Sequence, residues 1–222
     1  MKFVYPDIDC VFDLTNGRFN TLVIENQDLF VRFLQDIHGQ LNGCRGLAVL
    51  SQADMPVAFD RYAELLDRFV PFEMNRKPLL NKISTALEQE AFDEIHYAQS
   101  TRVMQEVEQL LTDISFRFSC DLRFPKISLG GIIKSAGIEL NDDYGHLTER
   151  LIDYMELVCE FERNKLFILV NLRSYVSDEK LLGFAQTAIS HGFEILALES
   201  SDRPRLDNEL RWTVDADLCE FS

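Results

Sequence analysis

Asn171 and Arg173 close an apolar run, KLFILV (165–170), just ahead of a helix start at Ser177-Asp178-Glu179. A polar pair there falls at the carboxyl end of a strand, where open α/β sheets bind ligands. The loop lacks the glycines that let a backbone cradle phosphate, so it has the position of a nucleotide site without the chemistry. Gly130-Gly131 followed by Lys134 superficially resembles a phosphate loop but lacks the G-x-x-x-x-G-K-[ST] spacing. A helix starting after Ser128, with glycine for close packing, explains it better. Glu139, Asn141, Asp142 and Asp143 offer oxygens of the kind calcium takes, roughly six to eight at a time. Counted from Glu139, Tyr144 stands where the turn glycine belongs and Arg150 where the bidentate glutamate belongs. A solvated loop capping the next helix is the better reading, with an irregular ion site left open.

Nucleophilic chemistry has little support. His38, His96, His146 and His191 read as ordinary helix or loop residues, and no strained G-x-S-x-G turn occurs. Cys10, Cys44, Cys120, Cys159 and Cys219 are scattered, odd in number and without a C-x-x-C pair. They read as reduced thiols rather than zinc ligands or a disulfide framework.

The net charge of -15 argues against nucleic acid as a partner. Charges on faces further apart than the Debye length, about 8 Å at physiological salt, barely sense one another, so a segregated basic face remains compatible with phosphate binding. Arg76, Lys77 and Lys82, then Arg117, Arg123, Lys126 and Lys134, then Arg173 and Lys180 gather in the helical middle and at the sheet edge. Arg76, Lys77, Lys82, Lys126, Lys134 and Arg173 are the expected phosphate contacts.

The elements that position these residues follow from periodicity. Four short aliphatic runs, 21–25, 46–50, 165–170 and 194–198, predict strands. The third lacks polar alternation, as expected of a parallel strand covered on both faces. Asn26 is placed to cap a helix with Leu29, Phe30, Phe33, Leu34 and Ile37 at helical spacing, ending near Gly39. Ser177 is placed to cap another, ending before Gly192. Two strand–helix–strand units with right-handed crossovers predict a small parallel sheet. Residues 2–14 and 212–221 alternate in short stretches and suit edge strands.

From Val57 to Arg163 helical periods dominate. Pro78 suits a first helical turn. One long helix or two consecutive ones fit residues 79–124 equally well, because no glycine or proline interrupts them. A further helix is expected over 147–161. The expected architecture is a small parallel-sheet α/β domain, 1–56 with 164–222, and an inserted helical subdomain, 57–163. No stretch reaches the roughly 18 apolar residues of a spanning helix, and 1–20 lacks a signal-peptide apolar run, so a cytoplasmic location without membrane contact is expected.

Taken as a series, TLVIEN (21–26), KPLLNKI (77–83), IIKSAGIEL (132–140), NKLFILVNLRSYVSDEKL (164–181) and FEILALES (193–200) resemble the type II-A CRISPR-associated adaptation proteins that bind ends of double-stranded DNA. The resemblance covers nearly the whole chain and rests on order and spacing, without a catalytic signature. It implies an α/β head of degenerate nucleotide-binding type with an inserted helical leg, assembled as a non-enzymatic homotetrameric ring whose basic inner face encloses linear duplex DNA. It also implies work in spacer acquisition beside the adaptation integrase complex and the RNA-guided nuclease. The family further resembles a calcium-dependent assembly, with acids flanking the helix that corresponds to 129–136. Asp121, Glu139 and Asp142 are the implied ligands, yet Arg123 and Lys126 stand where acids are expected. Those cations are expected to replace the ion by pairing with Glu139 or Asp142. No nucleotide is expected. An acidic scaffold without DNA contact and a nucleotide-hydrolysing enzyme are the alternatives.

Overall fold

The computed structural model describes residues 1–143, 145–162 and 166–222. Tyr144, Lys165 as the expected strand start, and the expected boundary at 163/164 lie outside these residues. Two compact units are formed, one from residues 1–74 with 142–222 and one from 75–141. The second is shorter than the stretch of helical periods, since strand Ala63–Leu66 and helix Leu147–Glu162 belong to the first.

The first unit is mixed α/β with a mostly parallel six-stranded sheet. In chain order its strands are β1 (Lys2–Val4), β2 (Val11–Asp13), β3 (Phe19–Ile24), β4 (Val49–Gln52), β5 (Met55–Val57), β6 (Ala63–Leu66), β7 (Leu166–Val170), β8 (Glu194–Glu199), β9 (Glu209–Val214) and β10 (Glu220–Phe221). Helices α1 (Gln27–Leu41), α2 (Phe59–Tyr62), α6 (Leu147–Glu162) and α7 (Asp178–Ser190) accompany them. The second unit holds α3 (Lys77–Glu90), α4 (Tyr97–Ser115) and α5 (Leu129–Ala136). No described helix is long and apolar enough to cross a membrane.

The large sheet runs β10-β9-β3-β8-β7-β6, with β9, β3, β8, β7 and β6 parallel and β10 antiparallel at one edge. Strand β7 is buried at every position, as the run of five apolar residues required. Residues of one parity on β3, β7 and β8, including Leu22, Ile24, Ile168, Val170, Leu196 and Leu198, join a core with Leu29, Phe33 and Ile37 of α1. The other parity, Phe167, Leu169, Ile195 and Ala197, is equally buried, as are Leu151, Tyr154, Met155 and Val158 of α6 and Leu181, Phe184 and Ala188 of α7. Helices thus lie on both faces.

The run 46–50 behaves differently from the expectation of a parallel strand beside β3. It contributes β4 to a separate antiparallel sheet ordered β2-β1-β4-β5. The cause is its alternation, because Leu50 is buried while Leu47 and Val49 are exposed, and only a one-sided sheet accommodates that pattern. The strand that pairs with β7 at the sheet edge is β6, AELL, too short and polar to stand out in the sequence. In the small sheet Phe3 meets Phe12, Phe33 and Phe59 at ring-centre distances of 5.8–6.2 Å. These contacts fix it onto the α1 core.

In the second unit the open question of one helix or two is decided by a side chain. Asp93 accepts the His96 backbone N–H at 2.7 Å and lies 2.9 Å from His96 Nδ1. This local bond competes with the helical one and separates α3 from α4 without glycine or proline. Ser128 caps α5, its Oγ accepting from Gly131 N at 3.1 Å. A Cβ on Gly130 would lie 2.5 Å from the Glu88 carboxylate, so glycine lets α5 approach α3 closely. The ends of the unit are tied together: Asn75 Nδ2 donates to the Leu140 carbonyl at 3.1 Å, and Leu140 N–H donates to Asn75 Oδ1 at 2.7 Å. Asn75→Ala is expected to remove both bonds at a cost of about 1–3 kcal/mol. Faster hydrogen exchange at Leu140, with the head amides unchanged, is the measurable result.

Candidate nucleic-acid interface and the closed sheet edge

Parallel strand order puts a switch point between β3 and β8: the chain leaves β3 for the far edge at β6, returns through β7 and β8, then passes β3 to reach β9. Ligands of open α/β sheets bind at the carboxyl ends of such strands. Here the chain's own groups occupy the donors and acceptors. Asn26 Oδ1 accepts from Leu29 N at 3.0 Å, taking an amide at the start of α1. Asn171, in a left-handed turn with φ 54, donates its N–H to Leu198 O at 2.7 Å and accepts Ser200 N–H on its side chain at 2.8 Å. Glu25 Oε1 accepts the Asp202 N–H at 3.1 Å.

Arg173, expected among the phosphate contacts, points inward with a side chain 2% exposed. Its Nη2 donates to Asp178 Oδ1 and to the Pro204 carbonyl, both at 2.8 Å, while its backbone N–H donates to Glu199 Oε1 at 3.1 Å. Arg173 is therefore a strut of this edge rather than a surface cation. Ser177 starts α7 as expected but makes no side-chain cap bond, and Asp178 serves Arg173 instead.

Beside it lies a group absent from the expected set. Arg211 reaches Glu209 at 2.8 Å and Asp202 at 2.6 Å, and also donates to the Arg203 carbonyl. Arg203 Nη1 donates to the Arg173 carbonyl at 2.8 Å. A cleft of about 680 Å3 is lined by Glu25, Asp202, Arg203, Arg205, Arg211 and Thr213. The available sequence signal was RPRLDNELRW (203–212), in which three arginines and two acids crowd a strand start. Such density beside an apolar strand marks paired, partly buried charges.

Burial raises the Glu199 carboxyl above its ordinary value, with the nearby Arg173 N–H and guanidinium opposing the rise. A folded-state value above the unfolded one means that the charged form costs stability, and the cost is relieved as pH falls through the raised value. Asp13 has the opposite sign: bonds from Thr15 lower it, so its contribution is lost on acidification. Glu199→Gln is expected to flatten the acid-side gain. Unfolding midpoints of wild type and variant should converge as pH falls through the raised Glu199 value.

The remaining five expected phosphate contacts, Arg76, Lys77, Lys82, Lys126 and Lys134, all belong to the second unit. Lys77, Lys82, Lys126 and Lys134 are exposed and Arg76 is half-buried. Arg76 is the N-cap residue of α3, Lys77 opens the helix and Lys82 follows within two turns, with no acid in the first turn and no side-chain cap bond. A cation in the first turn opposes the helix macrodipole by about 0.3–1 kcal/mol, so helix stability does not explain Lys77. Lys134, in the last turn of α5, is explained by the dipole alone.

The expected ion ligands divide between the units, Asp121 and Glu139 in one and Asp142 in the other. Among the described residues no group of three or more His, Cys, Asp or Glu side chains is placed to hold a metal. Arg123 pairs with Asp121 at 3.8 Å, rather than with Glu139 or Asp142 as expected. The five cysteines are free. Cys10 is half-buried, and burial with the Glu220 charge pushes its thiol up to about 11.

Fold and site define a mixed α/β protein with a mostly parallel six-stranded sheet, the carboxyl edge of that sheet closed by internal ion pairs, and a separate helical unit bearing exposed cations. The family model for CRISPR-associated protein (Cas_Csn2) matches residues 40–218, and the chain belongs to that family. A comparison with curated proteins finds no match.

Proposed function

We propose that the protein is a non-enzymatic homotetrameric ring that binds the ends of linear double-stranded DNA without sequence preference and supports CRISPR spacer acquisition. Its partners there are the adaptation integrase complex and the RNA-guided nuclease. Family membership supports the setting. The observation that carries the binding is the partition of charge. The second unit holds eight Lys or Arg against nine Asp or Glu, a net of -1, leaving -14 of the total -15 to the first unit. A polyanion approaching the first unit meets strong repulsion, while the second is nearly neutral and concentrates cations at the start of α3.

Contacts of this kind go to the phosphate backbone, which fixes position without reading sequence. One or two per subunit give a tetramer on the order of four to eight, with binding falling by about 0.9 log unit per contact per log unit of salt. The second unit is also the part able to meet its copies with least repulsion, and α4 leaves Leu110 and Ile114 exposed for such contact. Arg123, standing where the family resemblance implies an acid, pairs with Asp121, one of the implied ligands, and so offsets the charge an ion would meet there; chelation should then leave the assembly intact.

A mobility-shift comparison of linear with closed circular duplex tests the reading. Binding to linear duplex alone supports threading of ends. Equal binding to both removes the ring mechanism, and binding to neither leaves the acidic scaffold.

A further inference from the structure

Among the described residues, the small sheet presents an apolar row that is exposed at its two ends and half-buried at its centre, Val4. Val4 pairs with Val11 on one side and with Val49 on the other, so three valines lie side by side across β2, β1 and β4. Phe3, Phe12 and Leu50, of opposite parity, are buried in the core, which leaves the valine row on the outer face. Val11 is 62% exposed, Val49 45%, and Leu47, of the same parity as Val49, 55%. Next to this row on the same face run Asp13, Lys2, Ser51 and Pro56 in register. Lys2 is held by Asp54 at 3.0 Å, and bonds from Thr15 keep Asp13 readily ionised.

An aliphatic row rimmed by charge has the anatomy of a protein interface, an apolar centre inside a polar border. The border is mixed in sign, with Lys2 beside Asp13, so the charge of the whole unit selects the partner. A second copy would bring another -14 unit against this face, whereas a cationic surface gains attraction at long range and pairs at the rim. We infer that the outer face of the β2-β1-β4-β5 sheet docks a basic protein surface, one that presents aliphatic side chains flanked by Lys or Arg. Edge strand β2, only three residues long, offers an open rim for such a segment, while Pro56 blunts the opposite edge.

Three synthetic nonapeptides test this against the full-length protein: a cationic valine peptide (RKVTVTVKR), its anionic counterpart (DEVTVTVED) and a cationic peptide without valine (RKSTSTSKR). Fluorescence anisotropy is expected to show the first binding at least tenfold more tightly than either other. Hydrogen exchange should slow in segments 1–14 and 47–57. Val11→Asp with Val49→Asp, both exposed, should weaken that binding at least tenfold and leave duplex binding unchanged, with a fall of only a few degrees in the unfolding midpoint from the lost cross-strand pairs. Equal binding of the anionic peptide, protection confined elsewhere, or a smaller assembly mass for the double variant would each overturn the inference, the last by making the face a self-contact. If the wild type fails to bind duplex while the peptide results hold, the proposed function fails and this docking face stands.

Discussion

Changing Lys77, Lys82 and Lys126 together to glutamate is expected to weaken binding to linear duplex by a hundredfold or more, on the order expected when several phosphates per copy of a tetramer are no longer neutralised. The plot of log affinity against log salt should flatten by about 0.9 for every phosphate that goes unpaired. In the single variant Lys77→Glu, stability should move the other way. Lys77 opens α3 with no acid in the first turn, so a glutamate there complements the helix dipole by about 0.3–1 kcal/mol. Tighter folding with weaker binding separates a missing phosphate interaction from a damaged fold. Unchanged affinity in the triple variant would remove the second unit as the DNA-facing part.

Arg211→Ala is expected to destabilise the first unit by about 3–5 kcal/mol, because it strands the Glu209 carboxylate in the interior. The side chains of the pair are 6% and 1% exposed, and without the arginine the carboxylate keeps the Leu206 N–H at 2.7 Å as its partner. For a chain of this size the midpoint should fall by roughly 6–20 °C. Replacing Arg211 and Glu209 together by leucine should cost much less, since the larger part of the single-variant penalty is the uncompensated charge. A double variant as damaged as the single one would show instead that the bonds to Asp202 and the 203–204 carbonyls hold the edge.

The parallel strands β3, β7 and β8 were legible because their buried stretches 22–24, 166–170 and 195–198 are apolar. Strand β4 misled through the same signal: GLAVL is apolar, but Val49 faces out and Leu50 in, a difference that a five-residue run does not display. Strand β6 was illegible because Glu64 sits inside it, tolerated through the bond that Tyr154 Oη donates at 2.5 Å from across the unit. Basic residues at the α3 start were legible as charge. Arg173 was not, since burial of a cation depends on Asp178 and the 204 carbonyl converging from elsewhere in the chain. The Arg203, Arg205 and Arg211 group was passed over although its density was visible. Which of several crowded charges pair is a property of folded neighbours, not of spacing.

The reciprocal bonds between Asn75 and Leu140 bring the two ends of a 67-residue segment within touching distance. A connector of about three residues can bridge such a gap. The segment is thus a cassette: the strands that precede and follow it need not wait for it in order to find one another, and it can be exchanged between family members without redrawing the sheet.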